Sequence, residues 1–70
     1  MITIYASGQG VYVVTKDHRQ VGRIVNVGMR GRWMFRRDDR AAERDYVGID
    51  VTRLLHNDPV LEAEIAREIA

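Results

Sequence analysis

The spacing of apolar residues changes along the chain. Up to residue 37 they alternate with polar ones in short runs, and after residue 58 they recur every fourth position. Ile2 to Ala6 is short and β-prone, and Ser7-Gly8-Gln9-Gly10 is a turn cluster. Val11-Tyr12-Val13-Val14-Thr15 is dense in β-branched and aromatic residues, which favour a pleated, half-buried strand. Lys16-Asp17-His18-Arg19 reads as a tight polar turn, Val21 to Val27 as the next strand and Arg32 to Arg37 as the last. Leu61, Ile65 and Ile69 then mark one stripe of a helix running from Pro59 to near residue 70, with Asp58 as the expected cap. Val51 to His56 reads as a short helix capped by Asp50. Residues 38 to 49 are a loop with one helical turn, or include a short strand at Tyr46 to Ile49.

The predicted fold is α+β: a three- to four-stranded antiparallel β-meander with a C-terminal helix packed on one face. One small domain spans residues 1–70, with the meander at 1–37, a loop at 38–50 and a helical part at 51–70.

Strand alternation allows the two faces to be assigned. A three-residue loop, Met29-Arg30-Gly31, pairs Val27 with Trp33 and Val25 with Phe35 and gives Gly31 the left-handed position. A two-residue loop sets Asn26 against Trp33 instead, so the first register is expected. Closing the preceding turn on Asp17-His18 pairs Val14 with Val21 and Tyr12 with Arg23. The core face then carries Tyr12, Val14, Val21, Val25, Val27, Trp33 and Phe35. The opposite face carries Val11, Val13, Ile24, Asn26 and Met34, flanked by Arg32 and Arg36. A single helix covers one face only, so this second face is the candidate surface for a partner or a homodimer.

Composition narrows the chemistry. Seventy residues bury only roughly 60% of the unfolded surface, so stability is thin. There is no cysteine, which excludes disulfides and thiolate metal sites, and His18 and His56 lack ligand spacing. No cofactor or metal is expected. Net charge is only +1, but it is divided. Residues 1–40 hold eight Lys/Arg against three acids, a balance of +5, and residues 41–70 hold three arginines against seven acids, a balance of −4. The first residues lack the basic and long apolar regions of a leader, and no run approaches the ~20 residues needed to span a bilayer. A cytoplasmic location away from membranes is the expectation.

Enzyme motifs are missing. Ser7-Gly8-Gln9-Gly10 is not a nucleophile elbow, and Gly8-Gln9-Gly10 lacks the third glycine of a dinucleotide loop. Asp38-Asp39 sits among Arg36, Arg37 and Arg40 as a charge-balanced loop. The expected role is therefore non-catalytic protein binding, through Arg30, Arg32, Met34, Arg36, Ile24 and Val13. The alternative is a nucleic-acid-binding accessory protein that grips phosphates with Arg30, Arg32, Arg36 and Arg37.

The stretch KDHRQVGRIVNVGMRGRWMF, residues 16 to 35, resembles the hairpin of small phage- and prophage-encoded proteins, some anti-CRISPR inhibitors among them. The resemblance implies a non-enzymatic inhibitor that docks on a host defence complex, itself a nucleoprotein assembly. Many such inhibitors are strongly acidic mimics of nucleic acid, and this chain departs from that pattern.

Overall fold

The computed structural model describes residues 1–8, 10–28 and 31–70. Five strands, β1 (Ile2–Ala6), β2 (Val11–Lys16), β3 (Arg19–Val27), β4 (Arg32–Arg37) and β5 (Ile49–Asp50), precede one helix, α1 (Asp58–Ile69). The strands form a single antiparallel sheet in the order of the sequence, β1-β2-β3-β4-β5. The protein is thus α+β, a meander with α1 on one face. The fifth strand lies inside the segment expected to be a loop. Short 3₁₀ turns occupy Asp38–Arg40 and Thr52–Leu54.

The β2–β3 turn closes on two residues in left-handed conformation, Asp17 (φ 52°) and His18 (φ 69°). This is the backbone of the primed hairpin turns, whose twist matches the flanking strands, and both residue types tolerate it. Asn57, not Asp58, caps α1. Its Oδ1 accepts the Val60 N–H at 3.4 Å, while Asp58 and Pro59 begin the helix. Ahead of it, Val51 and not Asp50 is the cap residue of the 3₁₀ turn, which is shorter than the helix expected there; Asp50 instead accepts the Thr52 N–H at 2.9 Å from two residues before.

The core lies between the sheet and α1. Val14, Ile24 and Phe35 from the strands meet Val51, Leu61 and Ile65, with Ile2, Ile4, Tyr12, Trp33 and Ile49 around them. Tyr12 and Trp33 pack edge to face at 5.6 Å. Each fully buried aliphatic or aromatic side chain here stabilises the fold by roughly 1.5–3 kcal/mol.

Two registers differ from expectation. Val14 pairs with Gly22 and Thr15 with Gln20, so Val21 is an extra residue, a β-bulge. The bulge moves β3 on by one position, and Tyr12 now opposes Ile24. The β3–β4 hairpin takes the other register, pairing Val27 with Arg32 and Asn26 with Trp33. A one-residue slip exchanges the two faces of a strand. Ile24 therefore sits in the core with no exposed surface, and Val25 and Val27 pass to the other side. The two slips cancel for β4, so Trp33 and Phe35 remain on the core side as expected.

Candidate functional site on the open sheet face

The period-2 alternation of Arg32-Trp33-Met34-Phe35-Arg36 sends Trp33 and Phe35 toward α1 and the other three side chains to the opposite face. Cross-strand pairing builds that face into rows. Val11, Val25 and Met34 form one row, ending at Asp50. Tyr5, Val13, Arg23 and Arg36 form the next. Arg32 lies beside Val27 beyond the first row. Val13 and Met34 are buried among their neighbours, Val11, Val25 and Val27 are half-buried, and Tyr5 is exposed.

The arginines are unevenly neutralised. Arg23 and Arg36 stand directly opposite each other, and like charges so placed repel. Arg23 Nε has the Asp38 carboxylate at 3.6 Å. Arg36 Nε donates to the Val47 carbonyl at 3.3 Å, and neither Arg36 nor Arg32 makes an ion pair among the described residues. Residues Ala41 and Tyr46 from the β4–β5 connection close one side, leaving a hollow of about 290 Å³ bounded by Arg23, Val25, Arg36, Arg37 and Asp38.

That connection is held firmly. The Tyr46 hydroxyl accepts the Arg37 N–H at 2.8 Å, and the Arg40 guanidinium lies 4.3 Å from the Tyr46 ring centre. Burial pushes the Tyr46 phenol above its usual range. Arg40 also grips Glu43 at 2.9 Å.

Comparison with family models, curated proteins and solved structures gives no match to this chain. The site therefore has to be read from its own residues.

Of the expected site residues, Val13, Arg32, Met34 and Arg36 share this face. Ile24 does not, because the bulge turns it inward. Arg30 lies outside the described residues. Arg37, expected among the phosphate contacts, points to the helix side. Its Nε and Nη2 hold Asp39 at 2.9 and 2.6 Å, and its Nη1 donates to the Glu68 carbonyl at 3.1 Å. Arg23, Val25 and Tyr46 belong to the site but were not singled out from the sequence. The glycine in Val21-Gly22 was the available signal, since an isolated glycine within a strand marks a bulge. Among the described residues no cluster of three or more metal-ligating side chains occurs, and no helix is long and apolar enough to cross a membrane.

At the far end of the apolar row, a short relay secures β4. The Trp33 N–H donates to Thr52 Oγ1 at 2.9 Å, and the Thr52 hydroxyl donates to Asp50 Oδ1 at 2.6 Å. The Thr52 hydroxyl and backbone N–H hold the Asp50 carboxyl below its usual range, helped by Arg32 and Arg53. A carboxylate depressed in the fold contributes stability above its unfolded pKa, about 3.9, and loses it as pH falls through the folded value. Thr52→Val should leave the Trp33 N–H without a partner and cost about 1–3 kcal/mol at neutral pH. Urea titrations should show the gap between the two proteins narrowing as pH falls through the lowered folded-state pKa of Asp50. A gap independent of pH would mean the relay does not stabilise the carboxylate.

Proposed function

We propose that this protein is a non-catalytic docking module whose open sheet face receives an acidic, partly apolar segment of another protein. The observation that carries the reading is the opposed pair Arg23 and Arg36, framing a hollow floored by Val25. A carboxylate from the partner would relieve the repulsion between the two guanidiniums and supply Arg36 with a counter-charge. The row Val11, Val25 and Met34 would take apolar side chains beside it, and methionine adapts readily at such contacts. A protein segment is favoured over single-stranded nucleic acid because Tyr12, Trp33 and Phe35 are all engaged on the helix side, leaving few rings on which bases stack. The similarity of residues 16 to 35 to phage-encoded inhibitors supports a host protein complex as the setting.

The test uses two fluorescent probes, a peptide of alternating glutamate and leucine and an oligothymidylate, followed by anisotropy. The peptide should bind more tightly. Arg36→Glu should weaken it about tenfold, or ~1.4 kcal/mol, and Val25→Thr should weaken it less. Tighter binding of the oligonucleotide, with a steep fall on adding salt, would favour phosphate recognition instead. Peptide affinity unmoved by Arg36→Glu would sink the docking site itself.

A further inference from the structure

The two edges of the sheet are built differently. β5 is only two residues long and carries Asp50, both of which discourage further strand addition. β1 is five residues long, Ile2-Thr3-Ile4-Tyr5-Ala6, with no charge, proline or bulge, and it pairs with β2 without interruption. It has none of the usual guards of an exposed edge.

The hydrogen bonds flanking β1 fix which of its groups face outward. The Asp17 N–H donates to the Met1 carbonyl at 3.1 Å, and the Ser7 N–H donates to the Val11 carbonyl at 3.0 Å. In an antiparallel ladder bonded residues alternate, so Thr3 and Tyr5 also turn their backbone groups toward β2. Ile2, Ile4 and Ala6 turn theirs to the free edge. Among the described residues, no turn, loop or side-chain hydrogen bond engages them. The side chains of the same three residues lie on the helix side of the sheet, where Ile2 and Ile4 are half-buried.

We infer that β1 is a self-association edge, joined antiparallel by β1 of a second copy about a two-fold axis at Ile4. The outward set is symmetric about that residue. Ile2 of one copy pairs with Ala6 of the other, and Ile4 pairs with its own equivalent. The three pairs make about six backbone hydrogen bonds. With no charge in β1, self-pairing brings no like charges together along the seam.

Two features select a second copy over an unrelated strand. Near Ala6, a groove of about 190 Å³ lies between the strand end and the start of α1, lined in part by Ile4, Ala6, Tyr12, Leu55 and Leu61. The pairing places Ile2 of the second copy beside Ala6 on that side, so its side chain enters this groove. Asp58 and Glu62 stand at the same groove. Lys16, which pairs with Ile2, lies about two strand spacings, ~10 Å, from Ala6 of the other copy. Lys16's stem covers much of that distance and the Glu62 side chain can meet it across the rest, and Lys16 makes no ion pair within its own chain among the described residues. Each copy therefore offers a lysine to the acidic groove of the other. The two-fold axis is perpendicular to the sheet, so both open faces end on one side of a continuous sheet, and the dimer presents two docking surfaces in parallel.

Sedimentation velocity over a concentration series tests the inference. The wild type should shift from 8.1 kDa toward twice that mass as concentration rises. Ala6→Pro removes an outward N–H that the β1–β2 ladder does not use, and it should weaken association about tenfold or more. Lys16→Glu should also weaken it, and adding Glu62→Lys to that variant should restore it, a rescue that a folding defect would not show. Hydrogen exchange gives an independent readout: the Ile4 and Ala6 amides should be protected in the dimer and exchange freely on dilution. Arg36→Glu should leave the dimer intact, which separates this edge from the docking face. A chain that stays monomeric to about 1 mM overturns the inference. So does a dimer indifferent to the charge swap, or one with freely exchanging Ile4 and Ala6 amides.

Discussion

Phe35→Ala should remove about 3–5 kcal/mol of stability, the cost typical of deleting a buried aromatic ring and leaving a cavity. Phe35 has no exposed surface and stands at the centre of the core, with Ile24 opposite it on β3 and Ile49 opposite it on β5. Val51, Leu61 and Ile65 belong to the same packed cluster. Seventy residues at ~0.05–0.15 kcal/mol each give a total stability of roughly 4–10 kcal/mol. The substitution therefore takes between about a third and all of it, and the unfolded fraction at physiological temperature should rise sharply. Urea denaturation monitored through Trp33 is the suitable measurement, because the indole packs against the same core and reports its loss. Phe35→Leu should cost clearly less, since it keeps the site apolar and most of its volume filled. A loss below about 1 kcal/mol for the alanine variant would mean that the sheet and α1 do not share one core.

Gly22→Ala should also be strongly damaging, although it adds a single methyl group. A Cβ at position 22 would lie 2.6 Å from Cε1 of the Phe35 ring and closer still to the Arg36 carbonyl oxygen. The ring can move only by leaving the core, and the carbonyl belongs to β4, the neighbouring strand of the sheet. Overpacking of this kind costs about 1–3 kcal/mol and sometimes more. At ~4–8 °C per kcal/mol for a domain of this size, the melting temperature should fall by roughly 5–25 °C. Because the clash involves Phe35, the double variant Gly22→Ala/Phe35→Leu should lose less than the sum of its parts. Strict additivity would show that the ring and the glycine do not press on one another.

These two residues also explain how far the amino-acid order alone could lead. The fold class, four of the five strands and the terminal helix follow from hydrophobic period and turn chemistry, which are local. Trp33 and Phe35 are placed correctly because one-residue slips on either side of β3 compensate. β3 itself is misplaced, because the bulge at Val21 is favoured by a tertiary fact, the ring of Phe35 covering a position that only glycine can occupy. That error turned Ile24 outward and hid Val25 and Arg23 from the candidate surface. β5 is too short to leave a period, and it is held by Phe35, Met34 and the Thr52 relay rather than by its own composition. The grouping of Arg32, Met34 and Arg36 was legible because it needs only alternation along one strand. The role of Tyr46 was not, since its hydroxyl reaches a backbone amide nine residues earlier in the chain.

The strand order bears finally on how the chain reaches its shape. Every strand neighbours its successor, so each pairing closes a short loop and carries a small entropic cost. The return of α1 onto the sheet joins distant parts of the sequence, from its contacts with β1 to the Arg37–Glu68 hydrogen bond. Assembly can thus advance hairpin by hairpin, with the helix arriving last to seal the apolar side. Until it does, Val14, Ile24 and Phe35 stand open to water. For this protein the interval between zipping and sealing is when it is most prone to aggregate during synthesis.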